Sequence, residues 1–298
     1  MSKTLQQFSP ILFALYFIPS IAISQEENSR DKEFHLDEVY DINSNGKIDL
    51  NSNDAKVYII GSNRNNVHVK IDRVVETRGW IWGDKGFDVI VESRNGNLYI
   101  SDKEWGNGGM AGYVREEYVI KIEAPHSVAL SIRGDDDDYI ISAINGDIRM
   151  ELDDGDVDLD NCLSSSYYFD IDDGDISMKG GSGELTVKLD DGDIEIYDAR
   201  FTSVEAYLDD GDMGIETSVV NNGYYRFEID DGSLDLIILD GGGKFDIRHD
   251  DVHVRYDKSF NLEEEDENYT VLTLPGGDAS IRISGDDMSI RLSSNRVN

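Results

Sequence analysis

Apolar and polar residues alternate along most of the chain, and a short acidic turn interrupts the alternation at regular intervals. Phe169 and Ile171 precede one such turn, and Ile176 and Met178 follow it, with one polar residue inside each pair. A period of two is typical of a strand that buries one face, because successive side chains of a strand point to opposite sides of the sheet. The pattern therefore predicts an all-β protein with very little helix.

The turn that interrupts the strands is a repeated Asp-Asp-Gly-Asp sequence. Five copies are centred on Gly155, Gly174, Gly192, Gly211 and Gly232, the last with Ser in place of the second flanking Asp. The glycines are 19, 18, 19 and 21 residues apart, and a degenerate copy with Asp at position 250 follows 18 residues later. Glycine supplies the positive φ of a tight turn, and Asp can bond nearby backbone amides. The sequence therefore predicts repeating units of 18–21 residues.

Two arrangements of these units agree with the alternation. In a meander of hairpins, each Asp-Gly pair would be a two-residue loop between antiparallel strands. In a solenoid, each turn would be a corner, and equivalent positions of successive units would stack. The acidic turn recurs nearly unchanged while the other connections vary, which favours the solenoid. We predict a single-stranded β-helix-like solenoid with the five glycines in one row and these residues facing inward: Val157, Ile171, Ile176, Leu189, Ile194, Leu208, Ile229 and Leu234.

The N-terminal residues have the pattern of a secretory signal peptide. Lys3 precedes an apolar run over residues 11–23, which ends in small residues. We expect cleavage after Ser24, export across the inner membrane to the periplasm or cell surface, and no transmembrane segment after cleavage. Beyond the signal peptide (1–24), the sequence suggests three regions: a β region with aromatic insertions (25–133), the Asp-Asp-Gly repeats (134–258) and C-terminal strands with a cap (259–298).

The composition restricts the classes of partner. The formal net charge is −35 at pH 7, from 62 Asp and Glu against 27 Lys and Arg. No nucleic-acid partner is expected, because phosphate binding requires clustered basic residues. The hydrophobic content of 39% supplies core material that a disordered acidic chain lacks. Cys162 is the only cysteine, so no intramolecular disulfide can stabilise the fold.

Three strand-like phrases join the repeats in resembling a known bacterial family. They are Ser44 to Leu50, Val57 to Gly61 and Val67 to Ile71. Together with the repeats they resemble a family of domains of unknown function named as candidate adhesins, over roughly Val39 to Leu292. The resemblance implies a secreted β-helix-like solenoid, right-handed in its winding, and its motifs are structural rather than catalytic.

The acidic corners are the candidate metal sites. Stacked corners about 4.8 Å apart would bring like charges close enough to repel. Bound calcium would relieve the repulsion, since hard oxygen ligands suit that ion. The alternative is that the carboxylates cap their own turns and face solvent. The candidate calcium ligands are Asp154, Asp156, Asp173, Asp175, Asp191, Asp193, Asp210, Asp212 and Asp231. No other cofactor is indicated.

Aromatic residues among glycines form the candidate ligand site. Trp80 and Trp82 lie in one such segment, and Trp105 and Tyr113 lie in another, both outside the regular repeat. Aromatic loops on a rigid scaffold suit the binding of a cell-surface glycan or an envelope protein. The alternative is that Trp80 and Trp82 cover the end of the solenoid core.

Two functions of different classes agree with these features. The first is a noncatalytic, adhesin-like interaction scaffold that is secreted or held in the cell envelope, with calcium as a candidate stabiliser. The second is a polysaccharide lyase or hydrolase of β-helix type that uses Asp residues. An active site breaks symmetry whereas the carboxylate pairs here recur in every unit, so we predict the scaffold and no enzymatic activity.

Overall fold

The computed structural model describes residues 32–249 and 253–295, and all regular structure within them is β-strand. The strands join into one sheet of 19 strands. In chain order they are β1 (Lys32–Asp41), β2 (Lys47–Asn53), β3 (Lys56–Ser62), β4 (Asn66–Arg94), β5 (Asn97–Pro125), β6 (Ala129–Asp135), β7 (Asp138–Ser142), β8 (Ile148–Asp154), β9 (Val157–Asp160), β10 (Ser166–Asp173), β11 (Ile176–Lys179), β12 (Ser182–Asp191), β13 (Ile194–Thr217), β14 (Tyr224–Ile238), β15 (Gly243–His249), β16 (His253–Tyr256), β17 (Asn261–Asp266), β18 (Tyr269–Leu274) and β19 (Ala279–Ser294).

The Asp-Asp-Gly units stack on one another in parallel. Each unit contributes a stretch of strand before its corner and another after it, and β13 and β14 run through the corners of Gly211 and Gly232. Equivalent positions pair from unit to unit, as Leu189 does with Ile171 and Leu208. The corners form one row, because an atom at the Cβ position of each corner glycine would lie 1.9–2.3 Å from the backbone oxygen of the residue before it in the row. The parallel stacking is confirmed, and a hairpin meander through the Asp-Gly corners is wrong. β2, β3 and their neighbours β5, β6 and β7 continue the parallel pairing, and we call all the parallel units together the stack.

The interior of the stack is filled by the apolar half of each alternating strand. All eight residues predicted to face inward are buried, with at most 2% of their surface exposed. Phe169, Phe201 and Phe227 add large rings that are equally buried. Burial of such a side chain contributes roughly 1.5–3 kcal/mol, so the repeated apolar positions provide the stability that no disulfide supplies.

The order of units in the stack differs from their order in the sequence. β19 lies between β14 and β15: Tyr224 pairs with Ser280, and Lys244 pairs with Ser280 from the other side. β15, which follows β14 in the sequence, therefore pairs parallel with β19. At the other end, β5 lies outside β2 and β3, although it follows them in the chain.

The prediction of a single winding strand is also wrong at both ends, where antiparallel strands close the stack. β1, β4 and β5 pair antiparallel at the N-terminal end. β15, β18 and β17 pair antiparallel at the C-terminal end. Antiparallel neighbours can follow each other through a tight turn, whereas each further parallel unit needs a full circuit of chain.

Parts of the sequence interpretation fall outside the described residues. The signal peptide with its cleavage position and the degenerate corner at position 250 are among them. Within the described residues, no helix is long and apolar enough to span a membrane.

Candidate functional site

A two-stranded ribbon departs from the stack at the N-terminal end of the row of corners. β4 and β5 pair antiparallel along their whole length, from His68 opposite Glu123 to Arg94 opposite Asn97. Both ends of β5 belong to the stack: residues 98–101 pair with β2, and residues 119–125 pair with β3. β5 therefore forms the outermost unit of the parallel stack at this end, and β4 pairs antiparallel with it.

The middle of this ribbon projects from the stack. Four residues (52–55) join the paired positions Asn51 and Lys56 of the neighbouring unit, but seventeen (102–118) join their partners Ser101 and Val119 in β5. Because the end points are equivalent, the extra residues must leave the stack and return. At about 3.3 Å per residue, they reach at most about 28 Å from it. We call residues 76–88 and 103–115, which pair with each other, the arm.

The composition of the arm differs from that of the rest of the protein. It contains all three tryptophans of the chain and seven of its 28 glycines. Its formal charge is zero although the whole chain carries −35. Four acidic residues, Glu76, Asp84, Asp88 and Glu104, balance four basic ones, Arg78, Lys85, Lys103 and Arg115.

Two tryptophan rings of the arm lie against glycines of the opposite strand. Trp82 is paired with Gly109, and Trp105 is paired with Gly86. A Cβ at Gly109 would lie 2.5 Å from the Trp82 ring, and a Cβ at Gly86 would lie 2.3 Å from the Trp105 ring. The rings remain 59% and 51% exposed. Each ring is thus supported by backbone on one side and accessible to solvent on the other.

The remaining predicted aromatic residues also belong to the arm. Tyr113 is 58% exposed, and its neighbour Val114 is 43% exposed. Trp80 pairs with Ala111 in the ribbon. The structure therefore brings all four predicted positions into one projecting element. Trp82 is 59% exposed, so it does not cover the end of the solenoid core.

The base of the arm is held by aromatic and charged contacts. Phe87 packs edge-on against Phe34 and Tyr118, with ring centroids 5.4 and 5.3 Å apart. The Arg73 guanidinium lies 3.8 Å above the Phe87 ring and forms ion pairs with Glu104 and Glu116. The Arg73 side chain is only 12% exposed, so this contact is shielded from water. These contacts fix the arm where it meets the stack.

A buried carboxylate that the sequence analysis did not identify lies beneath this base. Asp137 occupies the corner position that Gly155 occupies in the next unit. This equivalence follows from their contact, since a Cβ at Gly155 would lie 1.9 Å from the backbone oxygen of Asp137. Its side chain is fully buried. It accepts hydrogen bonds from Ala55 N at 2.5 Å, Tyr139 Oη at 3.0 Å and Ser52 Oγ at 3.1 Å. The signal in the sequence was the run from Asp135 to Asp138, in which a corner lacks glycine.

Burial governs the ionisation of the carboxylates around the base. It raises the pKa of Asp137 to about 6, against the opposing effect of the three donors. Burial also raises the pKa of Asp102, although that carboxylate accepts a hydrogen bond from Asn53 N at 2.9 Å. The pKa of Asp54 is raised first by burial and then by repulsion from Asp136. The surroundings of these carboxylates at the base of the arm therefore disfavour their charged form.

The acidic corners carry a second row of carboxylates with a structural role. Asp156 Oδ1 accepts the amide of Asp175 in the next unit at 3.0 Å. Asp175 and Asp193 accept the amides of Asp193 and Asp212 in the same way, each at 2.9 Å. These carboxylates link each corner to the next, which supports the capping alternative for this row.

The carboxylates before each glycine line up along the edge of the stack. Asp154, Asp173, Asp191, Asp210 and Asp231 occupy paired positions in successive units. The pKa of Asp154 is raised by its hydrogen bond with Asp136, then by burial and by repulsion from Asp173. The pKa of Asp191 is raised by burial and then by repulsion from Asp173 and Asp210. Among the residues described, no group of three or more His, Cys, Asp or Glu is arranged to hold a metal ion. Calcium binding stays a prediction.

Comparison with known proteins assigns the family. The sequence model of the Toastrack DUF4097 family matches residues 45–297, which include the stack and the arm. The chain belongs to this family. β1, which covers the outer edge of the ribbon, lies before the matched region. The family resemblance expected from the repeats is confirmed. No curated protein matches the chain.

Several solved structures are similar to the chain at low identity. A candidate adhesin from Bacteroides fragilis is 14% identical, with a TM-score of 0.39 over 87% of this chain and 97% of its own. A candidate cell adhesion protein from Clostridium sporogenes is 14% identical, with a TM-score of 0.30 over 89% of this chain and 100% of its own. A candidate lipid-binding protein from Parabacteroides distasonis is 12% identical, with a TM-score of 0.31 over 91% of this chain and 97% of its own.

Proposed function

We propose that the protein is a noncatalytic, adhesin-like scaffold of the cell envelope, in which the stack is the support and the arm makes contact with the partner. The observation that carries the proposal is the arm itself. It breaks the repeat, exposes aromatic rings and is uncharged overall in a strongly acidic protein. Binding residues are commonly found on loops that a rigid scaffold positions.

The surrounding structure supports an interaction role for the arm. Its base is fixed by the packed Phe34, Phe87 and Tyr118 rings and by the shielded Arg73. A fixed base lowers the entropy that must be lost when a partner binds. The exposed rings of the arm are large and rigid, which gives contact area at low entropic cost.

We also propose export and a right-handed winding of the stacked units, as the family resemblance implies. Export is supported by the pattern of residues 1–24. Intact mass of protein recovered from a bacterial host should correspond to a chain starting at Gln25. Recovery of a chain that retains the first 24 residues in the membrane fraction would contradict export with cleavage.

Binding to cell envelopes tests the proposed function. The chain starting at Gln25 should bind to intact cells or envelope fragments, and a triple variant, Trp82→Ala with Trp105→Ala and Tyr113→Ala, should lose that binding. A double variant, Tyr197→Ala with Tyr256→Ala, removes exposed aromatics outside the arm and should bind normally. Equal binding by all three proteins would contradict a contact role for the arm.

The alternative function, a polysaccharide lyase or hydrolase, is tested in parallel. The unmodified chain is incubated with acidic polysaccharides, and release of reducing ends and of unsaturated products is measured. We expect no turnover. Turnover that is abolished by changing one corner Asp pair, but not the equivalent pair of a neighbouring unit, would establish the enzyme and refute the scaffold.

A further inference from the structure

We infer that Trp82 and Trp105 are two stacking sites for sugar rings of a neutral glycan. The inference rests on the proposed function, because it names the ligand class of the same arm. Each ring lies against a glycine of the opposite strand, and more than half of each tryptophan residue is exposed to solvent. A flat aromatic face that is already supported from behind is suited to receive a second flat group on its open side.

The glycines behind the rings are part of this geometry. Any side chain at Gly86 would occupy the space of the Trp105 ring, since even a Cβ there would lie 2.5 Å from its Nε1 and Cζ2 atoms. A Cβ at Gly109 would likewise lie 2.6 Å from Cε2 of the Trp82 ring. Glycine in a strand weakens it by removing side-chain packing. The absence of a side chain at these two positions makes room for the tryptophan rings.

The separation of the rings fits an oligomer of flat units better than a protein surface. The two Trp–Gly pairs are four positions apart in the ribbon register, which is at most about 13 Å in a strand. Protein partners usually bury about 800 Å² on each side around a packed central cluster. A narrow ribbon with two separate rings and many glycines does not offer such a cluster. An oligosaccharide would place one sugar ring on each tryptophan.

The electrostatics select a neutral ligand. The faces of aromatic rings are negative, and they attract the weakly positive C–H groups on one face of a pyranose ring. The zero formal charge of the arm offers no attraction to an anionic glycan, and the −35 of the whole chain repels one. The exposed Asn107 lies in sequence between Trp105 and Gly109 and supplies an amide donor and acceptor for sugar hydroxyls.

Intrinsic tryptophan fluorescence gives a direct assay, because all three tryptophans of the chain belong to the arm. The chain is titrated with neutral hexasaccharides of glucose, mannose and N-acetylglucosamine, and with polygalacturonate and chitosan oligosaccharides for comparison. We expect a neutral oligosaccharide to change the fluorescence saturably. The affinity should not change with salt, because no ion pair is formed. Calorimetry measures the affinity of the variants that lack a tryptophan.

The variants separate stacking from a structural effect. Trp82→Ala and Trp105→Ala should each weaken binding roughly two- to tenfold, as expected for loss of one stacked pair. Trp105→Phe keeps a flat ring and should retain most of the affinity. Gly86→Ala should weaken binding although it leaves every aromatic residue in place. Tyr197→Ala is the control and should bind like the unmodified chain.

Three outcomes would overturn the inference. The first is binding of a neutral glycan that neither tryptophan substitution weakens. The second is envelope binding through the arm that persists after enzymatic removal of glycans but is lost after proteolysis of the envelope, which would identify a protein partner. The third is binding of chitosan alone with strong salt dependence, which would indicate cation recognition. In the last two cases the proposed scaffold function would stand. If the triple arm variant bound envelopes as well as the unmodified chain, both the contact role of the arm and the glycan inference would be refuted.

Discussion

Asp137 should make the protein more stable in mild acid than at neutral pH. Its pKa in the folded protein is about 6, against an ordinary value of 3.8. The folded state therefore binds the proton more tightly than the unfolded state, and stability falls as pH rises through this range and levels off above it. The two pKa values differ by an amount equivalent to about 3 kcal/mol, of which about 2 kcal/mol is lost between pH 4.5 and pH 7.5.

The variant Asp137→Asn isolates this contribution. An amide cannot ionise, so the part of the pH dependence due to Asp137 should disappear. Asn keeps an oxygen acceptor for the Ala55 amide, and its NH2 group, in place of Oδ2, can donate to the hydroxyl oxygen of Tyr139 or Ser52. The control is Asp153→Asn, the same substitution at an exposed corner position.

Thermal unfolding at pH 4.5 and 7.5, followed by circular dichroism, provides the measurement. Relative to Asp137→Asn, the unmodified chain should gain roughly 4–8 °C in its midpoint on going from pH 7.5 to pH 4.5, as about 2 kcal/mol implies for a chain of this size. The Asp153→Asn variant should follow the unmodified chain within about 0.5 kcal/mol. If the two variants show the same pH dependence, the reasoning from burial is refuted.

Three further predictions concern the stack. Gly192→Ala should cost more stability than Gly180→Ala. Both glycines have positive φ, but a Cβ at Gly192 would lie 2.2 Å from Gly174 O, whereas the space at Gly180 is open. Equal losses in the urea midpoint would contradict the steric argument. Asp193→Asn should be more stable than Asp193→Ala by about 1 kcal/mol, because only Asn can accept the amide of the next unit, and urea unfolding of both variants measures the difference. After chelation in low salt, added calcium should raise the thermal midpoint, because a ligand at a hundredfold excess over Kd stabilises the folded state by about 2.7 kcal/mol. Magnesium should raise the midpoint less. Identical shifts with the two ions would mean that they only screen the corner carboxylates.

The candidate site was only partly readable from the sequence. Trp82, Trp105 and Tyr113 stood out because they interrupt a regular repeat. The support of Trp82 by Gly109 was not predictable, since these residues are 27 positions apart and meet only through the antiparallel register. Asp137 was missed because the run from Asp135 to Asp138 contains one residue type only, so residue type does not distinguish it from its solvent-exposed neighbour Asp136.

The sequence by itself determined the units, their buried faces and the row of corners. Alternation decides which side chains point inward, and glycine decides where the backbone can turn, and both are local properties. Only the tertiary structure decided that β19 lies between β14 and β15, and that β4 and β5 form an antiparallel ribbon with a projecting arm. Strands pair through backbone hydrogen bonds that every residue except proline can make, so the pattern of one strand does not specify its neighbour. That choice depends on packing across the whole stack.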